Sequence, residues 1–270
     1  MKNQTNLISR TKNVIVGLLL MAMPGLALAE RIPATATSVK GDATVVDETG
    51  HVSKISVGDK LPVGDTVVTG KDGVVGLTLV PGAGTVVQPN TKVKIATLDF
   101  YKGADGSNNR TILLNLQNGD LISSLYKKDG HSDFKVATAY GVAAAKGTVW
   151  QVVVNGTTLT INVVNGTVID VAVTANGTTT ATATSISAGQ SFDSTTGTVG
   201  TLSSGALSAI TSVINTALPG FSANNGGGAA AAQAIQDALN GGATVVNPAN
   251  VSSSTFLNAE TNSTNSPASP

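Results

Sequence analysis

The chain has 270 residues, 16 basic and 16 acidic side chains, no cysteine, and five Phe, three Tyr and one Trp. Without cysteine there is no disulfide framework, thiolate zinc site or cysteine nucleophile, and the balanced charge gives no basic footprint for nucleic acid. Any core must come from Val, Ile, Leu and Ala.

Lys2, Arg10 and Lys12 precede an apolar run over 14–23. Pro24-Gly25 breaks that run, and Ala27-Leu28-Ala29 offers a small-x-small cleavage site before Glu30. This order predicts a secretory signal peptide over 1–29. The run is too short for the ~20 residues of a membrane span. The expectation is a mature chain starting near Glu30, with no membrane span after cleavage, in the periplasm, at the cell surface or secreted. Residues 30–146 carry 13 basic and 12 acidic side chains. Residues 147–270 carry no Lys or Arg and four acids, Asp170, Asp193, Asp237 and Glu260.

From Val39 to about Val199 the apolar period is two. Val75, Leu77 and Leu79 alternate with Gly76 and Thr78, and Ile112, Leu114 and Leu116 share a face. So do Trp150, Val152 and Val154, and Leu159, Ile161 and Val163. Asn155-Gly156, Asn165-Gly166 and Asn176-Gly177 fall between such runs, where Asn-Gly supplies the positive φ pair of a tight hairpin. Many short strands with frequent turns predict an all-β domain over 30–200, either a sandwich or a solenoid-like stack.

Beyond 200 the spacing of Leu207, Ile210, Val213, Ile214 and Leu218 becomes helical, and Pro219-Gly220 ends it. A weaker helix is predicted over Ala229–Leu239 after the linker Asn224–Gly228. Residues 201–270 thus read as a tail of short helical and low-complexity segments, ending in Ser, Thr, Asn and Pro that bury little.

Several segments carry a family pattern. They are Val57-Gly-Asp-Lys-Leu-Pro-Val-Gly-Asp-Thr-Val-Val-Thr-Gly70, Gly73-Val-Val-Gly-Leu-Thr-Leu79 and Val87-Gln-Pro-Asn-Thr-Lys-Val93. Leu114-Asn-Leu-Gln-Asn-Gly-Asp120, Phe134-Lys-Val-Ala-Thr138 and Ala145-Lys-Gly-Thr-Val-Trp-Gln-Val152 complete it. Together they resemble the FecR-type domain family. The matching positions are Gly64, Asp65, Thr69, Gly70, Asn90, Gly119, Lys146, Gly147, Thr148 and Trp150, and the resemblance implies a structural role for them. Lys146 stands where the family commonly has arginine, which keeps the charge and loses the planar fork. The family is known from periplasmic parts of transmembrane anti-sigma regulators that relay iron-siderophore signals. It also has stand-alone exported members, and a cleavable signal before the domain places this chain among those. The resemblance implies an extracytoplasmic, protein-contacting β module.

Chemical motifs are sparse. His51 and His131 each follow a glycine in a turn-like setting. Asp105-Gly-Ser-Asn-Asn109 begins like a calcium loop, but Arg110 takes the glycine place and Leu116 the place of the bidentate acid. Gly141–Thr148 has its lysine on the wrong side of its glycine for a phosphate loop. Asp59 and Asp65 sit in Gly-Asp turns, and no Gly-x-Ser-x-Gly elbow is present. Lys146 is expected either to pair with a carboxylate such as Asp133 or to sit on the surface, and Trp150 to anchor the core with its indole N–H on a carbonyl. The reading is a non-enzymatic envelope protein without catalytic, cofactor or metal residues, contacting another envelope protein. The alternative is a glycan-binding or matrix protein, suggested by the 14 Thr of residues 157–201.

Overall fold

A computed structural model describes residues 30–126, 130–145, 147–172, 183–218 and Phe221. The signal-peptide span, Lys146, Asn176-Gly177, the second predicted helix and the terminal tail lie outside the described residues.

The strands are β1 (Glu30–Arg31), β2 (Ala34–Lys40), β3 (Ala43–Val46), β4 (Val52–Lys54), β5 (Lys60–Leu61) and β6 (Thr66–Thr69). Next come β7 (Val74–Val80), β8 (Ala83–Val87), β9 (Lys92–Lys102), β10 (Asn108–Leu125), β11 (Ser132–Ala137) and β12 (Gly141–Ala145). The last are β13 (Val149–Asn155), β14 (Thr158–Asn165), β15 (Thr167–Ala172), β16 (Ala183–Ser187), β17 (Gln190–Asp193) and β18 (Thr198–Thr201), followed by helix α1 (Ser204–Ala217).

Sheet I has the order β4-β3-β6-β9-β10-β11-β12-β15-β16, with β1 beside β6 on the edge of β9. Sheet II has the order β5-β2-β7-β8-β10-β13-β14-β17-β18. Pairing is antiparallel except between β10 and β11, and no described pairing closes either sheet. From β11 onward the hairpins alternate, β11–β12 in sheet I, β13–β14 in II, β15–β16 in I and β17–β18 in II. The two architectures left open by the sequence therefore coincide: a sandwich built as a stack of hairpins.

Strand β10 shows why the chain can serve both sheets. Ile112, Leu114 and Leu116 are buried on even positions, whereas Leu121 and Leu125 are buried on odd ones. The phase flips at Asn118-Gly119, because inward means the opposite side once the strand enters the other sheet. Its first half pairs with β9 and its second with β8 and β13. Between the sheets lies a core of Val, Leu, Ile and Ala, with Phe134 and Trp150 at 0% exposure. The two rings meet edge to face, 5.7 Å between centroids and 84° between planes.

The Asn-Gly turns correct the sequence expectation in detail. Asn155 pairs with Thr158, so the loop is Gly156-Thr157, and only Gly156 has positive φ, at 58°. That is the first central position of a II′ turn, where glycine suffices. Asn165-Gly166 is no hairpin; it carries the chain from β14 in sheet II to β15 in sheet I.

Helix α1 packs on the outer face of sheet II. Leu207, Ile210, Ile214 and Ala217, with Leu202, Leu218 and Phe221, cluster with Val86, Ile122, Val149 and Val164. The side chain of Ser203 accepts from the Ala206 N–H at 3.2 Å as N-cap. Ser38 Oγ donates to the Ala217 carbonyl at 2.9 Å. The helix end fits a notch: a Cβ on Gly76 would come within 2.3 Å of the Ala217 oxygen, and one on Gly84 within 2.9 Å of the Phe221 ring. Apolar contact thus crosses the expected boundary near 200. Among the described residues no helix is long and apolar enough to cross a membrane.

Candidate functional site

Most of the motif residues lie where the chain changes sheets. Thr69 ends β6, and its Oγ1 donates to the Gln88 carbonyl at 2.6 Å and accepts from the Thr91 N–H at 3.0 Å. The Gly70 carbonyl accepts from the Asn90 N–H at 3.0 Å. Asn90, at φ 54°, is the only described non-glycine residue with positive φ, and its carbonyl accepts from Asn118 Nδ2 at 2.8 Å. Thr91 Oγ1 accepts from the Asp120 N–H at 2.9 Å. Gly119 closes the knot: at φ 101° a side chain is strained, and its Cβ would come within 2.2 Å of Thr91 Oγ1. Three segments separated in sequence, 69–70, 88–91 and 118–120, are thereby tied at the crossing point of β10.

Gly64 and Asp65 form another corner, between β5 and β6, where the Gly64 N–H donates to the Ile95 carbonyl at 2.8 Å. The Asp65 carboxyl is raised above the usual carboxylate range by burial, then by the charges of Asp47 and Glu48. Asp59 closes its own turn, accepting from the Ser56 N–H at 2.8 Å. Gly147 and Thr148 make the corner into β13, and the Thr148 carbonyl accepts from the Leu125 N–H at 2.9 Å. Among the described residues the buried Thr148 hydroxyl and Trp150 indole N–H have no hydrogen-bond partner, so none of them supplies the expected carbonyl for the indole. Lys146 lies outside the described residues, and the carboxylate suggested for it, Asp133, bonds Lys135 at 3.0 Å.

The calcium-like stretch is the hairpin between β9 and β10. Asp105 Oδ1 accepts from the Ser107 N–H at 2.9 Å, and Lys102 pairs with Asn108. Arg110, at 2% exposure, is an internal clamp. Its Nε donates to the Pro81 carbonyl at 2.5 Å, and its Nη1 to the Asn108 carbonyl and to Ser132 Oγ, both at 3.2 Å.

A polar ladder escaped the sequence reading. On the outer face of sheet II, Gln151 Nε2 donates to Asp120 Oδ2 at 2.8 Å, and Asn162 Nδ2 donates to Gln151 Oε1 at 2.7 Å. Ser191 Oγ donates to Asn162 Oδ1 at 2.6 Å. The ladder crosses β10, β13, β14 and β17 on half-buried side chains. Among the described residues, buried Asp120 Oδ1 and Gln88 Nε2 have no partners. Burial pushes the Asp120 carboxyl up to about 6, against the lowering effect of Gln151. The signal was present in the strand phase: Gln151 and Asn162 are the outward positions between buried neighbours. Asp170 is different. It is 1% exposed, cross-strand from Ala143 and Thr184, and burial alone pushes it up to about 7.

These arrangements hold strands together and present amides and hydroxyls. Among the described residues no three His, Asp or Glu side chains gather as a metal site needs. Residues 65–169 match the family described as FecR protein. This segment is similar to a FecR domain. Its limits run from the corner at Asp65 to β15, so the matched stretch spans the β10 crossing and the Phe134–Trp150 pair. Two crystal structures of a candidate anti-sigma factor from Parabacteroides distasonis ATCC 8503 are also similar, at 13% and 14% identity and a TM-score of 0.37. Each alignment covers 51% of this chain and 58% of the other, so the chain spans little more than half their length. No curated protein matches the chain.

Proposed function

We propose that this chain is an exported, non-enzymatic protein of the bacterial envelope that acts by contacting another envelope protein, as a signalling-related FecR-like module. The observation that carries the reading is the use made of the motif residues. Thr69, Gly70, Asn90 and Gly119 are consumed in backbone bonds at a corner, and Trp150 is sealed in the core. A catalytic motif would instead leave reactive groups converging on an accessible point. The outer face of sheet I, with Lys92, Lys94, Leu113 and Val142 at least partly exposed, carries no helix among the described residues, and it is the surface offered for contact. Export rests on the segment 1–29. Fractionating cells that express a tagged chain tests it: a cleaved product beginning near Glu30 outside the cytoplasm is expected, and an uncleaved chain in the cytoplasmic membrane refutes export. Cross-linking in the envelope tests the contact, with substitution of Lys92 and Lys94 by Glu expected to remove the cross-linked partner.

The ladder of Asp120, Gln151, Asn162 and Ser191 supports a second reading, an envelope glycan held on sheet II. Retention of the purified chain on cell-wall glycan or exopolysaccharide, lost in Asn162→Leu and resistant to salt, would favour it over the protein contact.

A further inference from the structure

The stack has two ends, and they are finished differently. At the N-terminal end the edge strands are β4 and β5, reading Val52-Ser53-Lys54 and Lys60-Leu61 followed by Pro62. Short length, lysine and proline are the devices that stop an edge from recruiting another strand. At the C-terminal end the edges are β16 and β18, reading Ala183-Thr-Ser-Ile-Ser187 and Thr198-Val-Gly-Thr201. They carry no charge and no proline, and their pairings with β15 and β17 run without a bulge. Among the described residues nothing pairs with their outer sides. Ser187, Thr198, Gly200 and Thr201 are exposed, and a Cβ placed on Gly200 would meet nothing within 4 Å. Helix α1 starts only three residues after β18 yet turns onto the face of sheet II and does not itself cover either edge.

We propose that two copies of this chain join end to end through β16 and β18, each edge pairing antiparallel with its counterpart across a two-fold axis. The chemistry selects a second copy. An uncharged Thr/Ser edge meets its own copy without opposed like charges, and an isologous contact closes after two subunits. The lysine-bearing end would set Lys54 and Lys60 against themselves. The dimer would extend each sheet and hold the two exposed outer faces of sheet I on one rigid body, presenting the surface for contact twice.

Sedimentation velocity of the full chain over a concentration series tests this. The expected result is a reversible dimer, weakened at least about tenfold by the double substitution Ser187→Lys and Gly200→Lys with the far-ultraviolet circular dichroism unchanged. Ser53→Lys at the other end should leave the dimer intact. Thr198→Lys, an exposed single change, serves if the double variant fails to fold. A chain that stays monomeric throughout, or a dimer indifferent to the C-terminal lysines, overturns the proposal. So does an open-ended polymer abolished by Ser53→Lys, which would mean head-to-tail stacking.

Discussion

The first and last halves of the β domain reach the same two-layer architecture by different means. Before β10 the strands interlace: β2 pairs with β5 and β7, β3 with β4 and β6, and β6 also with β9. Hydroxyl side chains stitch these connections, as Thr69 does by donating to the Gln88 carbonyl at 2.6 Å and accepting from the Thr91 N–H at 3.0 Å. After β10 the hairpins alternate sheets, and the basic side chains vanish from the sequence beyond Lys146. Strand alternation and glycine corners carry that half. Where pairing is non-local, side chains must hold the corners; where it is local, the hairpin supplies its own register.

That contrast can be broken most severely at the crossing. Gly119→Ala would force a side chain into a backbone at φ 101° and within 2.4 Å of the Thr91 Cα. A loss above ~4 kcal/mol is expected, the range of severe lesions, seen as failure to fold or a collapsed urea midpoint. The matched change in the second half, Gly200→Ala, meets open space and should stay within about 0.5 kcal/mol.

The next largest effect concerns the helix. Ile210→Ala removes a side chain 2% exposed between α1 and sheet II, at an expected cost of ~2–4 kcal/mol. Gly76→Ala should act in the same direction by lifting the Ala217 carbonyl from its notch. If chemical denaturation shows no change for either, the helix adds nothing to the β domain.

The pH dependence separates the crossing strand β10 from the second half. Asp120 and Asp170 have folded-state pKa values raised to about 6 and about 7 from 3.8. In the window between about 4 and 7 the native state holds more protons than the unfolded one, so stability rises as pH falls and is lost as pH climbs through the folded values. Each such group contributes a slope approaching ~1.4 kcal/mol per pH unit. Asp170→Asn should flatten the upper part of the curve, and Asp120→Asn the lower part, in denaturation measured from pH 5 to 8. A slope unchanged in both variants would place the titration elsewhere.

The smallest effect is expected at the β13–β14 turn. Gly156→Ala has nothing within 4 Å but keeps φ at 58°, so a loss of ~1 kcal/mol in thermal denaturation should report the turn alone.

Period-two patterning from Val39 to about Val199 determined that the described residues there would be mostly strands, and the helical spacing of Leu207, Ile210 and Ile214 determined α1, because burial on one face leaves a periodic trace in a single segment. The motif from Val57 to Val152 likewise made the FecR resemblance legible. Tertiary structure decided the rest. Gly119 reads as a turn residue in sequence, yet it lies inside a continuous strand, since the reason for it is Thr91 on another segment. The ladder from Asp120 to Ser191 spans four strands, and no local window contains two of its members on one face. Arg110 registers in sequence only as the residue in the glycine place of a calcium-like loop, and its role as a clamp needs Pro81 and Ser132 to close around it. Burial and hydrogen bonding between distant segments depend on which strands become neighbours, and that choice is made only when the two sheets pack.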